Sequence, residues 1–241
     1  MFPIRDHNPS DQRPWVTYGL IAANIAMYLL TLPVVQGGEW LWVRLALYPL
    51  AVIQGELLWG LLTHMFLHGG IMHIAGNLLF LYVFGDNLEE QMGRLGFLAF
   101  YLAAGLAAAA AQIAADPLSP IPMVGASGAI AGVMGGYLLL FPRARVDIVA
   151  IFIIFFKIFT LPAWIVLGVW LAIQIFGGYT TPGDGGGVAY WAHAGGFLAG
   201  VVLALPRFLW LGGRAFWART HGHPPHPEVV YAATRIPRVG R

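Results

Sequence analysis

Ser127 stands in Val124-Gly125-Ala126-Ser127-Gly128-Ala129, where a proline-rich loop turns into a Gly/Ala-rich apolar run. His193 stands in Trp191-Ala192-His193-Ala194-Gly195-Gly196, near the start of a second apolar run, and His73 and Asn77 lie near the start of a third. A serine hydroxyl becomes a nucleophile when a base accepts its proton, and histidine is the usual base. His73 and Asn77 are four residues apart and so share one helix face. Both can donate hydrogen bonds, which suits the negative oxygen of an acyl-transfer intermediate. The backbone N–H of Ser127, at a helix start, is a third donor. The plainer alternative is that His73 and Asn77 bond only to neighbouring backbone, and an isolated His-x-x-x-Asn is better explained that way.

Other chemistries find less support. The chain has no cysteine, which excludes thiol nucleophiles, thiolate metal sites and disulfides. His64, His68 and His73 could suggest a metal, but there is no His-Glu-x-x-His and no acidic residue between Gly60 and Gly85. His221, His223 and His226 could bind metal weakly, although a solvated tail accounts for them better. Neither a metal nor any other cofactor is expected. An aspartyl mechanism needs two carboxyls inside the spans, and the acidic residues all read as loop or tail positions. For the same reason His193 has no carboxylate to orient it, so the catalytic pair is expected to be a dyad, not a triad.

These polar residues are set in a membrane composition. Of 241 residues, 59% are hydrophobic and 10% charged, against about 25% charged in an average soluble domain. The formal charge of +2 is too small to point to nucleic acid. Six apolar segments are candidates to cross the roughly 30 Å hydrocarbon core. They run from about 15 to 32, 70 to 85, 95 to 114, 127 to 141, 161 to 177 and 188 to 205. The fourth is short for a crossing, which is tolerated where other helices surround it. The expected fold is therefore an all-α polytopic membrane protein of six transmembrane helices with a short central fourth helix. Residues 1–14 form a polar N-terminal segment without a cleavable-signal pattern, residues 15–206 the membrane domain, and residues 207–241 a mobile tail. Pro33–Leu67, rich in Trp and broken by Gly and Pro, is expected to lie along the membrane interface. The run Ile148–Thr160, interrupted by Lys157, reads as interfacial or as an extension of the fifth helix.

Basic residues collect on the cytoplasmic side. With the N-terminus inside, the inner segments hold twelve of the thirteen Lys and Arg and the outer loops only Arg44. Helices two, four and six then all run inward from the outer face. His73 and Asn77, Ser127, and His193 fall at one depth, about a turn below the outer surface. Polar groups at such a depth are costly and mark function. Gly128, Gly132 and Gly136 on helix four, and Ala192, Gly196 and Gly200 on helix six, form small-xxx-small stripes that let two helices approach closely. Such stripes often do no more than pack helices. Here each lies beside a polar residue at matched depth, which brings Ser127 to His193.

Gly125-Ala126-Ser127-Gly128 resembles the Gly-x-Ser-Gly motif of rhomboid intramembrane serine proteases. The stretch from His64 through His68 and His73 to Asn77 resembles their second-helix motif, and Ala192-His193-Ala194-Gly195-Gly196 their sixth-helix His–Gly segment. Together the three motifs, in order over six spans from Trp15 to Leu205, are highly specific. The resemblance implies a Ser127–His193 dyad that cleaves peptide bonds in or near transmembrane segments of membrane-protein substrates. It implies an oxyanion hole of His73, Asn77 and the Ser127 N–H, with Gly125, Gly128 and Gly196 structural beside the site. It also implies that His68 braces the first loop or second helix, that Pro33–Leu67 is a membrane-lying first loop, and that Gly178–Gly187 caps the site. The inside-positive pattern, without an organelle-targeting sequence, points to a bacterial or archaeal plasma (inner) membrane, with both termini cytoplasmic and the site opening outward. One departure is clear: many members have a Trp-Arg pair before the second-helix motif, whereas Trp59 here is followed by Gly60. Non-catalytic relatives that bind transmembrane helices are the alternative, and they are expected to lack the nucleophile or base that this chain keeps.

Overall fold

A computed structural model describes residues 2–33, 37–152, 155–181 and 187–229. Ten helices are found among them, six of which form the bundle: α1 (Trp15–Leu30), α5 (Ile71–Met92), α6 (Arg94–Ala115), α7 (Ser127–Leu140), α8 (Ala163–Thr180) and α9 (Tyr190–Trp210). α5, α6, α8 and α9 are long and apolar enough to cross a membrane, while α1 and α7 are apolar but shorter. The outward faces carry exposed Leu29, Leu95, Val169, Phe176, Leu198 and Val202. Apolar side chains in that number on the outside of a bundle fit lipid, not water. The chain is a multi-pass helical membrane protein.

α7 has 14 residues, about 21 Å at 1.5 Å each. It sits at the centre, packed against α5, α6, α8 and α9, with all but three of its residues buried. Of the loop before it, Met123, Gly125 and Ala126 are buried as well, and non-helical backbone is tolerated at membrane depth where protein encloses it. The closest approach is between α7 and α9. A Cβ on Gly196 would lie 2.1 Å from Gly128 O, and one on Gly200 would lie 2.0 Å from Gly132 O. Both stripes act as expected, with one refinement. The Cβ positions of Gly128 and Gly132 point at Ala108 and Ala104 of α6, so the α7 stripe admits α6 side chains while its carbonyls meet α9.

Three expectations are corrected. The run Ile148–Thr160, read as interfacial or as an extension of the fifth helix, is not an extension of α8. It belongs to an antiparallel hairpin, β2 (Arg145–Phe152) and β3 (Phe155–Pro162). β1 (Phe2–Asp6) pairs with β2 and completes a three-stranded sheet in the order β1-β2-β3, at the end of the bundle where the described residues both begin and end. β-Branched and aromatic residues suit a strand better than a helix. Asp147 fastens the sheet by accepting from Arg5 Nε (2.7 Å) and Thr160 Oγ1 (2.6 Å) and by pairing with His7 Nε2 at 2.8 Å.

The second correction concerns the acidic residues. α5 continues seven residues beyond Gly85, so Asp86, Glu89 and Glu90 lie on a helix, not in a loop. Buried Glu89 accepts from Val16 N–H, Thr17 N–H and Thr17 Oγ1 at 2.8–2.9 Å, capping the start of α1. Asp6, on β1, accepts from Asn87 Nδ2 (2.8 Å) and Tyr137 OH (2.9 Å), tying the sheet to α5 and α7. Burial first, and the Asp86 charge second, push the Asp6 carboxyl up to about 7. These carboxylates serve the opposite end of α5 from His73.

The tail is the third. α9 runs on to Trp210, and α10 (Arg214–Thr220) and residues 221–229 pack back on the sheet end. His226 pairs with Glu90 and Asp11, and Val229 N–H donates to His7 O at 2.7 Å. Residues 230–241 lie outside the described residues.

Candidate functional site

The first loop is a platform of short helices, α2 (Gly38–Leu45), α3 (Pro49–Ile53) and α4 (Gly60–Thr63), with a 3-10 turn at His64–Phe66. Trp59, which Gly60 and not an arginine follows, is braced from earlier in the loop. Trp59 Nε1 donates to Arg44 O (2.7 Å) and Thr63 Oγ1 to Leu45 O (2.6 Å). The Arg44 guanidinium lies over both the Trp40 and Trp59 rings, at 5.5 and 5.8 Å, a cation–π arrangement. A Cβ at position 60 would lie 2.7 Å from Ala46 O, so glycine is what fits after Trp59.

The platform holds the serine loop by its backbone. Leu47 and Met123 exchange N–H···O bonds of 3.1 and 2.7 Å, and Gly125 N–H donates to His64 O at 2.9 Å. Gly125 has φ +127°, a conformation that disfavours side chains, and a Cβ there would meet His73 Nε2 at 2.8 Å. The glycine thus lets the His73 ring lie directly against the loop that delivers Ser127.

Ser127 opens α7 and His193 lies in the first turn of α9. Ser127 Oγ is 2.7 Å from His193 Nε2, a hydrogen bond between side chains 66 residues apart in sequence. The Trp170 ring lies 5.7 Å from the His193 ring, tilted 35°, and stacks on Phe197 behind it. On the far side of the imidazole, Nδ1 is 2.8 Å from Gln174 Oε1 of α8. Ala192 N–H donates to Gln112 Oε1 (3.2 Å), which ties the start of α9 to α6.

His73 and Asn77 line the same cavity as Ser127 and His193, a space of about 640 Å³ also bordered by Trp170. Gly69 N–H donates to His73 Nδ1 at 3.3 Å. A neutral imidazole accepting at Nδ1 carries its proton on Nε2, and Nε2 is the nitrogen nearest the serine loop. Asn77 Nδ2 donates to His73 O at 2.8 Å. An amide nitrogen has two protons, so this bond orients the group and leaves the second N–H for the cavity. Bonding to local backbone and serving the site are compatible here. His68 is buried and packs edge-on against His73 at 5.1 Å. Of Gly178–Gly187, expected to cap the site, residues 182–186 lie outside the described residues. Gly178, Thr181 and Gly187 line the cavity.

Gln174, Gln112 and Trp170 are site residues that the sequence reading passed over. The signal for Gln174 was present: an amide inside an otherwise apolar span is costly and needs a partner. Among the described residues, no group of three or more His, Asp or Glu is placed to hold a metal ion.

A bundle with a short buried helix bearing a serine, hydrogen-bonded to a histidine on an adjoining helix, defines the class. The profile described as the Rhomboid domain matches residues 55–210, and the chain belongs to the rhomboid family. It is 39% identical over 130 residues to rhomboid protease GluP of Bacillus subtilis, covering 52% of this chain and 24% of that protein. It is 37% identical over 93 residues to the putative rhomboid protease YdcA of the same organism, covering 39% and 46%. It is 31% identical over 153 residues to rhomboid-related protein 2 of Mus musculus, covering 64% and 49%. The chain thus spans a quarter to a half of the length of these relatives.

Proposed function

We propose that the chain is an intramembrane serine endopeptidase that cleaves peptide bonds in or near transmembrane segments of other membrane proteins. The observation that carries this reading is the 2.7 Å bond between Ser127 Oγ and His193 Nε2 at the wall of a cavity that His73 and Asn77 also line. His193 Nε2 takes the hydroxyl proton as Ser127 Oγ bonds to the scissile carbonyl carbon. The carbonyl π pair moves onto oxygen, where the His73 Nε2–H, the Asn77 amide and the Ser127 N–H can donate to it. Collapse expels the amine, which receives the proton from Nε2. Water then repeats the sequence on the acyl-enzyme.

The bundle encloses the pair in apolar surroundings, where hydrogen bonds to a developing oxyanion are worth more than in water. We further propose that the site opens to the outer face of a plasma membrane, with both termini cytoplasmic. The distribution of Lys and Arg supports that orientation.

The test is cleavage of a single-span substrate in liposomes by the wild type, Ser127→Ala and His193→Ala. The reading expects product from the wild type alone. Cleavage by Ser127→Ala at the wild-type rate would refute it, and binding of substrate without cleavage by the wild type would favour a helix-binding role.

A further inference from the structure

We propose that Gln174 is a positioning residue for His193, holding the imidazole in the one tautomer that leaves Nε2 free to take the serine proton. The inference rests on the proposed protease reading and deepens it. His193 has no carboxylate partner, so a dyad of Ser127 and His193 leaves Nδ1 unassigned. In the structure Nδ1 faces Gln174 Oε1 at 2.8 Å.

Which end of the Gln174 amide faces the ring follows from its other contact. Gln174 Nε2 lies 3.3 Å from the carbonyl oxygen of Trp170, one turn earlier on α8. A carbonyl oxygen only accepts, so the amide end beside it must be the N–H₂ group, and the end facing His193 must be the oxygen. That oxygen in turn only accepts, so Nδ1 must carry the proton. A neutral imidazole has one N–H, and Nε2 is left with its lone pair 2.7 Å from Ser127 Oγ. The chain of donors and acceptors runs in one direction, from the Ser127 hydroxyl through His193 and Gln174 to the α8 backbone.

Gln174 is buried, so water is not at hand to replace its oxygen. The Trp170 ring packs against His193 from the same helix, limiting rotation of the imidazole out of this plane. When Nε2 accepts the serine proton, the Nδ1–H···O bond becomes charge-assisted and strengthens. Its effect is therefore larger in the transition state than in the ground state, and it belongs in kcat. An amide does this without placing a carboxylate in the bundle, where a charge is expensive.

The experiment measures kcat and KM against pH in liposomes for the wild type, Gln174→Met, Gln174→Glu and Ser127→Ala, with thermal unfolding of each. Gln174→Met keeps the length and removes the acceptor. We expect kcat to fall about 10- to 100-fold, the usual worth of a partner that orients a functional histidine, with KM within about twofold. That loss stays below the about 10⁴-fold seen when a buried triad aspartate becomes an amide and reverses the tautomer. Gln174→Glu keeps an acceptor opposite Nδ1 and is expected to recover most of kcat. A carboxylate there favours the imidazolium, so the acid limb of its kcat/KM profile should move to higher pH.

Wild-type kcat in Gln174→Met, with Ser127→Ala inactive, overturns this inference alone. So does a kcat loss that Gln174→Glu does not restore and that follows thermal stability, which would mark a packing role. If Gln174→Met does not fold, the rescue and pH limb of Gln174→Glu decide. Cleavage by Ser127→Ala at the wild-type rate instead removes the protease reading beneath it.

Discussion

Gly196→Ala tests whether the closeness of two backbones sets the chemistry. The added methyl would lie 2.1 Å from Gly128 O, where ordinary contact begins at 3.4 Å. Both groups belong to helix backbones, so no rotamer change relieves the overlap, and α7 and α9 must part by about 1.3 Å. Ser127 is next to Gly128, and His193 is one turn before Gly196. The same movement stretches their 2.7 Å contact toward about 4 Å, outside hydrogen-bond range. A misplacement of about 1 Å can cost about 100-fold in rate, so kcat should fall by about two orders of magnitude. Overpacking should also lower stability by about 1–3 kcal/mol. The assay is cleavage of a single-span substrate in liposomes, with thermal unfolding measured in parallel. Gly168→Ala on α8 is the control, because nothing lies within 4 Å of its added methyl, and it should cleave at the wild-type rate. If folded Gly196→Ala cleaves as fast as the control, close approach of α7 and α9 does not position the pair.

Four further outcomes are expected. Asn77→Ala should slow cleavage about 10- to 1000-fold, the range for losing one oxyanion donor, and an unchanged rate removes Asn77 from that role. Glu89→Ala takes the acceptor from the buried Thr17 donors and the half-buried Val16 N–H, so stability should fall by about 2–5 kcal/mol, and Glu89→Gln should lose less. Burial raises the Asp147 carboxyl, but the bonds from Thr160, His7 and Arg5 outweigh it and hold the group below the usual 3.8. Its contribution to stability is therefore present above pH 3.8 and lost as pH falls through the lowered value. Asp147→Asn should flatten that acid limb in a pH series of unfolding midpoints. Because the chain has no cysteine, Glu39→Cys and Ala218→Cys can be labelled in intact cells with an impermeant maleimide. The proposed orientation expects labelling at Glu39→Cys only, and the reverse pattern would invert the topology.

Hydropathy and glycine spacing carry the bundle because lipid demands long apolar runs and close packing demands small residues at fixed intervals. The same logic brings Ser127 toward His193, and the two side chains meet at 2.7 Å. It failed at Ile148–Thr160, where continuous apolar character cannot distinguish a strand from a helix. It also ended the second helix at Gly85, since Asp86, Glu89 and Glu90 looked like loop charges. Their partners, Ser10, the start of α1 and His226, are remote in sequence and invisible to any local pattern. Gln174 was missed for a different reason. The usual orienting partner of a catalytic histidine is a carboxylate, and an amide facing the same nitrogen carries no charge to mark it in the sequence. The bracing of Trp59 by Arg44, 15 residues earlier, likewise required the folded loop.

Activation of Ser127 Oγ by His193 makes this hydroxyl the one serine of the chain expected to be strongly nucleophilic. Its most direct measurement is covalent labelling by a fluorophosphonate in liposomes, with the modified residue mapped by mass spectrometry. A single adduct is expected on Ser127, lost in folded His193→Ala. Labelling of other serines with Ser127 unmodified, or undiminished labelling of Ser127 in His193→Ala, would contradict it.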